Sequence, residues 1–120
     1  MTPLETLSSR ISTATGPGNV LDNAIAEYLC VIPYLAPDED GNVSALPYTT
    51  DVGCALGLAS ERVPGLAFAF LKQPNGMWSL AASDDGVPQY DGSMFEEQYL
   101  ALSIVATVFE TLVDRAARQQ

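Results

Sequence analysis

The sequence predicts an α+β fold, a small antiparallel sheet layered between about four helices, in a single domain spanning 1–120. Three observations lead there: a capped pair of helix-period stretches at the start, two apolar runs around an Asn-Gly turn at about 66–83, and a long apolar helix pattern at the end. A chain of 120 residues with an apolar fraction of 48% has ordinary globular composition. At this length roughly two-thirds of the unfolded surface is buried on folding, so no metal or disulfide staple is needed.

The opening stretch TPLETLSSRISTA carries a helix start in full: Thr2 as N-cap, Pro3 at the first helical position and Glu5 completing a capping box. Leu4, Leu7, Ile11 and Ala14 share one face. Gly16 suits a left-handed helix-closing residue, and Pro17 prevents continuation. Asn19 then caps a second helix with Asp22 in its first turn, whose apolar stripe is Val20, Leu21, Ala24, Ile25, Tyr28 and Leu29. Prolines 33, 37 and 47 exclude a central strand, leaving short extended pieces at about 31–35 and 45–49 joined by the acidic turn PDEDGN.

The stretch TTDVGCALGLASERVPG predicts a third helix, capped by Thr50 or Asp51 and stopped by Pro64 and Gly65. Gly53 and Gly57 weaken it by about 1 kcal/mol each relative to Ala, while allowing close approach to a neighbouring backbone. Strands follow at about 66–72 and 77–83, with positive φ supplied by Asn75-Gly76. Both faces of the first are apolar, Leu66, Phe68 and Phe70 on one and Ala67, Ala69 and Leu71 on the other, which predicts helices on both sides. Ser93 and Glu96 read as a second capping box, opening a central helix to about Arg118. Its polar residues, Ser103, Thr107, Glu110, Thr111 and Asp114, form one narrow stripe, and Arg115 and Arg118 suit the negative end of its dipole.

Charge excludes one class of function. Fifteen acidic residues face five scattered basic ones, a formal net charge of −10, and such a chain repels a polyanion, so direct nucleic-acid binding is not expected. The same charge favours docking on a basic surface. Histidine is absent, and Cys30 and Cys54 lie too far apart for zinc spacing. They read as reduced core thiols of a cytosolic protein. No basic leader precedes an apolar stretch and no run approaches the ~20 residues of a membrane span, so no membrane association is expected.

The motifs that invite chemistry each fall short of it. GPGN at 16–19 lacks a phosphate-binding Lys, loses one N–H to Pro17 and follows a helix, so it reads as a corner. In PDEDGN, Asp38, Asp40 and Asn42 alternate like calcium ligands, but the glycine is misplaced and Thr49 stands where the bidentate glutamate belongs. Asp84-Asp85-Gly86 reads as a turn, and Glu96 and Glu97 as helix-capping acids. Ser8, Ser9 and Ser60 have no histidine to activate them. Trp78, Tyr90 and Tyr99 can stack on a ligand or pack a small sheet. No catalytic residue, metal site or cofactor is expected.

The segment LETLSSRISTATGPGNVLDNAIAEYL resembles the N-terminal helix pair of the phage ABA-sandwich domain family of small phage and prophage proteins. The family pattern Ile/Leu-x-x-Ala-Thr-Gly-Pro-x-x-x-Leu-Asp-x-x-Ile-Ala is met by Ile11, Ala14, Thr15, Gly16, Pro17, Leu21, Asp22, Ile25 and Ala26. PYTTDVGCALGLASERVPG is similar to its Tyr-Thr-x-x-x-x-x-Ala-Leu-x-Leu helix start, with a hairpin and a terminal helix after it. The chain departs from the family in Gly18-Asn19-Val20, where charged residues are frequent, and in lacking a Trp- and His-rich middle. The resemblance implies an α-β-α layered fold, a phage or prophage origin and a role in the host cytoplasm, and it carries over no catalytic residues.

Together these readings lead to the expectation of a non-enzymatic inhibitor of host defence, of the anti-CRISPR kind, binding a defence complex at its basic nucleic-acid surface. The contacts are expected on Asp38, Glu39 and Asp40, on Asp84, Asp85 and Asp91, and on Glu96 and Glu97. The alternatives are a small-molecule or nucleotide sponge and an accessory structural or regulatory phage protein. A homodimer is left open.

Overall fold

The computed structural model describes residues 2–14, 16–29, 35–37, 43–88 and 94–119. Helix α1 (Pro3–Ser12) begins on the expected capping box, Thr2 Oγ1 accepting from the Glu5 N–H and Glu5 Oε1 accepting from the Thr2 N–H. It ends at Thr13, whose N–H donates to Ser9 and whose hydroxyl also donates to the Ser9 carbonyl. Gly16 therefore does not close the helix, and its φ is not positive. Helix α2 (Asn19–Leu29) buries Leu21, Ile25 and Ala26, whereas Val20, expected in the apolar stripe, is 74% exposed.

Strands β1 (Leu35–Pro37) and β2 (Val43–Ala45) pair antiparallel as a short ribbon, placing the extended pieces a few residues from where the prolines suggested. Helix α3 (Val52–Arg62) starts on Asp51, whose carboxylate accepts from the Cys54 N–H at 2.9 Å. Neither glycine admits a neighbouring backbone among the described residues: open space lies beyond Gly57, and a Cβ at Gly53 would meet only the capping Asp51 carboxylate, at 3.1 Å.

Strands β3 (Leu66–Lys72) and β4 (Trp78–Asp84) form the predicted hairpin, Phe68 opposite Ala82 and Leu71 opposite Ser79. Gly76 alone takes positive φ (87°), and the Gly76 N–H donates to the Gln73 carbonyl, so the loop is a turn followed by a left-handed glycine. Asp85 (φ 51°) and Gly86 (φ 89°) then turn the chain into β5 (Val87–Pro88), a two-residue connection of the primed type. Strand β6 (Met94–Phe95) pairs with the other end of β4, Phe95 opposite Trp78.

A 3₁₀ turn at Glu97–Tyr99 leads into α4 (Leu100–Arg118). The central helix thus begins later than expected, because Met94 and Phe95 commit their backbone to the sheet, and Glu96 makes no capping hydrogen bond. Helices α1 and α3 pack on α4, which buries Ile104, Val105, Val108 and Phe109 completely. Burial of that kind contributes about 1.5–3 kcal/mol per large side chain. Thr107 and Thr111, expected on a polar stripe, are buried too; their hydroxyls donate back to the carbonyls of Ser103 (2.9 Å) and Thr107 (2.7 Å), so neither is left unpaired.

The fold class is α+β as expected, with a four-stranded sheet. One face of that sheet, with Leu66, Phe68, Phe70, Leu80 and Ala82, lies on the helical core, Phe68 and Phe70 stacking with centroids 6.0 Å apart. The opposite face was expected to be covered as well. It is open: Ala67, Ala69 and Ala81 are exposed, Leu71 is 62% exposed and Met94 51%.

Candidate binding site

Among the described residues, the acids named from the sequence do not gather in one place. Asp38, Glu39, Asp40 and Asp91 lie outside the described residues. Asp84 is withdrawn from any docking surface, being 3% exposed and held by two arginines from the last turns of α4. Arg115 grips both carboxylate oxygens, Nε donating to Oδ2 at 2.8 Å and Nη2 to Oδ1, and Arg118 Nη2 adds a bond to Oδ2 at 3.2 Å. Hydrogen bonding to Arg115 holds the Asp84 carboxyl below the usual carboxylate range, and the same bond raises Arg115. Arg115 and Arg118, expected to answer the helix dipole, thereby tie the C-terminus of α4 to the end of β4.

Asp85 stands exposed at the turn after β4, with its carboxylate over Gly65, where an added Cβ would collide with it. Glu96 and Glu97 are also exposed, but they follow β6 at the opposite end of β4. Seven strand residues separate these ends, roughly 20 Å at the usual rise. They act as two separate acidic points.

The GPGN loop is a corner, with a specific construction. The Gly18 N–H donates to Thr49 Oγ1 at 3.1 Å, and the Thr49 hydroxyl and N–H both donate to Asp22 Oδ1 at 2.9 Å. Asp22 and Thr49 are 2% and 0% exposed. The amide that might have cradled a phosphate is thus spent on joining α2 to the turn before α3. The two motifs that carried the family resemblance meet at this junction.

Of the candidate stacking aromatics, Tyr90 lies outside the described residues, Tyr99 packs against the core, and Trp78 is half-buried with its ring N–H unpartnered among the described residues. Cys54 is a free, half-buried thiol pushed up by burial and by Asp51, the wrong direction for a nucleophile; Cys30 lies outside the described residues. Among the described residues no group of acidic and cysteine side chains could hold a metal ion, and no helix is long and apolar enough to cross a membrane.

A cleft of ≈ 230 Å³ opens between the last turn of α1, the middle of α4 and strands β4 and β6. Ile11, Leu80, Phe95, Leu102 and Ala106 supply its apolar walls. Its polar side is Ser12, Ser103, Thr107 and Glu110, with the Ser12 hydroxyl donating to Glu110 Oε1 at 3.2 Å. Ser103, Thr107 and Glu110 belong to the stripe expected to be merely polar, and their spacing of four and three residues is the signal in the sequence that they share a face.

No protein-family profile, curated protein or solved structure matches this chain.

Proposed function

We propose that this protein works by binding and not by catalysis, docking through its negative surface on the basic, nucleic-acid-binding surface of a partner protein. One observation carries the reading. Glu5, Glu27, Asp51, Glu61, Asp85, Glu96, Glu97, Glu110 and Asp114 are all exposed, while two of the five cations, Arg115 and Arg118, are drawn onto Asp84. The surface therefore projects a negative field in several directions, which steers association with basic partners and competes with nucleic acid for them. On the sequence resemblance to phage proteins, the partner is a component of a host defence complex, bound in the host cytoplasm as anti-CRISPR proteins bind theirs.

The test is capture of the tagged protein's partner from host lysate across a salt series, followed by charge reversal at Asp85, Glu96 and Glu97. A charge-steered complex holds at ~0.1 M salt and weakens steeply toward ~1 M, where the screening length falls to about 3 Å. Capture that ignores both salt and charge reversal would sink the reading.

A further inference from the structure

The cleft between α1, α4 and the sheet differs in chemistry from the rest of the surface. We propose that it seats the side chain of an arginine presented by a partner protein, the alkyl stem against the apolar walls and the guanidinium on Glu110. This rests on the reading above that the partner is basic, and names what that partner inserts.

Size is the first argument. At ≈ 230 Å³ the cleft is below the roughly 300–1,000 Å³ of sites for drug-sized ligands and cofactors. It is on the scale of one long side chain. Lining chemistry is the second. Among the described residues Glu110 is the single charged one on the walls, no Lys or Arg lines them, and the remaining polar groups are the hydroxyls of Ser12, Ser103 and Thr107. Such a set accepts hydrogen bonds around one negative charge, which suits a cation rich in donors and rejects an anion.

The helix ends add a third. Ile11 and Ser12 belong to the last turn of the ten-residue helix α1, with Ala14 just beyond it, and the negative end of the helix dipole there favours a cation. The bond from Ser12 orients the Glu110 carboxylate at the cleft. Phe95 supplies an aromatic wall, and a guanidinium both stacks on aromatics and meets a carboxylate with two parallel donors, which a lysine ammonium does not. The apolar walls take the three methylenes of the stem, as long charged side chains commonly lie along apolar surface.

The experiment is an NMR titration of the isolated protein with N-acetyl-arginine amide and with its citrulline counterpart, which keeps the shape and removes the charge. The arginine probe should shift Ile11, Leu102 and Ala106 saturably, with citrulline and the variant Glu110→Gln each weakening the response by about tenfold or more. Equal response to citrulline, unchanged binding to the variant, or shifts centred on residues outside the cleft would overturn the proposal. The citrulline comparison needs no variant, so it decides the matter even where Glu110→Gln perturbs the fold. The two readings fail separately: salt-insensitive capture refutes the charged docking surface, whereas an empty cleft in the titration refutes only the arginine seat.

Discussion

Two buried carboxylates show how differently the same residue type is used. Asp22 accepts from the hydroxyl and amide of Thr49, and Asp84 from the guanidinium groups of Arg115 and Arg118. Both were visible in the sequence as ordinary acids, Asp22 at a helix start and Asp84 in a turn, and in neither case could spacing show the partner, which lies 27 residues away for Asp22 and 31 or 34 for Asp84. Asp84→Asn should destabilise the protein by about 2–3 kcal/mol in urea unfolding at neutral pH, the range for charge-assisted hydrogen bonds after discounting the partly exposed arginines. Because the folded carboxyl is held below its ordinary ~3.9, its stabilisation is full above that pH and is lost as pH falls through the lowered folded value. The stability difference between the two proteins should therefore be flat from about pH 5 to 8 and shrink below about pH 4; a difference that persists undiminished into strong acid would contradict the bridge.

At the scale of elements, local rules worked where the stabilising partners are local. The capping box of α1, the Asp51 cap of α3 and the glycine of the β3–β4 loop all depend on groups within a few residues, and all formed as read. The start of α4 differs for the complementary reason: Ser93 lies outside the described residues, but the helix expected to open there gives way to pairing of Met94 and Phe95 with Ser79 and Trp78. Pairing across a sheet is a tertiary event that local propensity does not encode. The turn after β4 gives a direct check on backbone geometry. Gly86 has φ 89° and nothing near a would-be Cβ, so Gly86→Ala should cost about 1–2 kcal/mol through backbone strain alone. A thermal unfolding midpoint equal to that of the parent would show that the turn is not of the primed type.

Across the whole molecule the sheet has one face on the helices and one in solvent. Apolar composition on both faces of β3 pointed to two covering layers, yet Ala67, Ala69 and Leu71 lie open while Leu66, Phe68 and Phe70 meet the core. Alanines are small enough to be exposed at little cost, so their presence marked a face without saying what lay over it. Leu71→Lys should accordingly change stability by no more than ~0.5 kcal/mol, as for other exposed positions. A loss of several kcal/mol in chemical denaturation would mean that this face is covered in the folded protein. The acidic surface divides along the same axis, since Asp85 and the pair Glu96 and Glu97 sit at opposite ends of β4. Any partner held by both must span the length of the sheet.

By itself the sequence determined the α+β class, the caps that start α1 and α3, the β3–β4 hairpin and the strongly negative charge, because periodicity, caps and turn residues act over a few positions and charge is a sum. Only the tertiary structure decided that Asp84 is a buried clamp, that Thr49 joins Asp22 to Gly18, that one sheet face is bare and that Ser103, Thr107 and Glu110 line a cleft. Each of these depends on which distant segments meet in space, and that choice is made by the packing of the whole core.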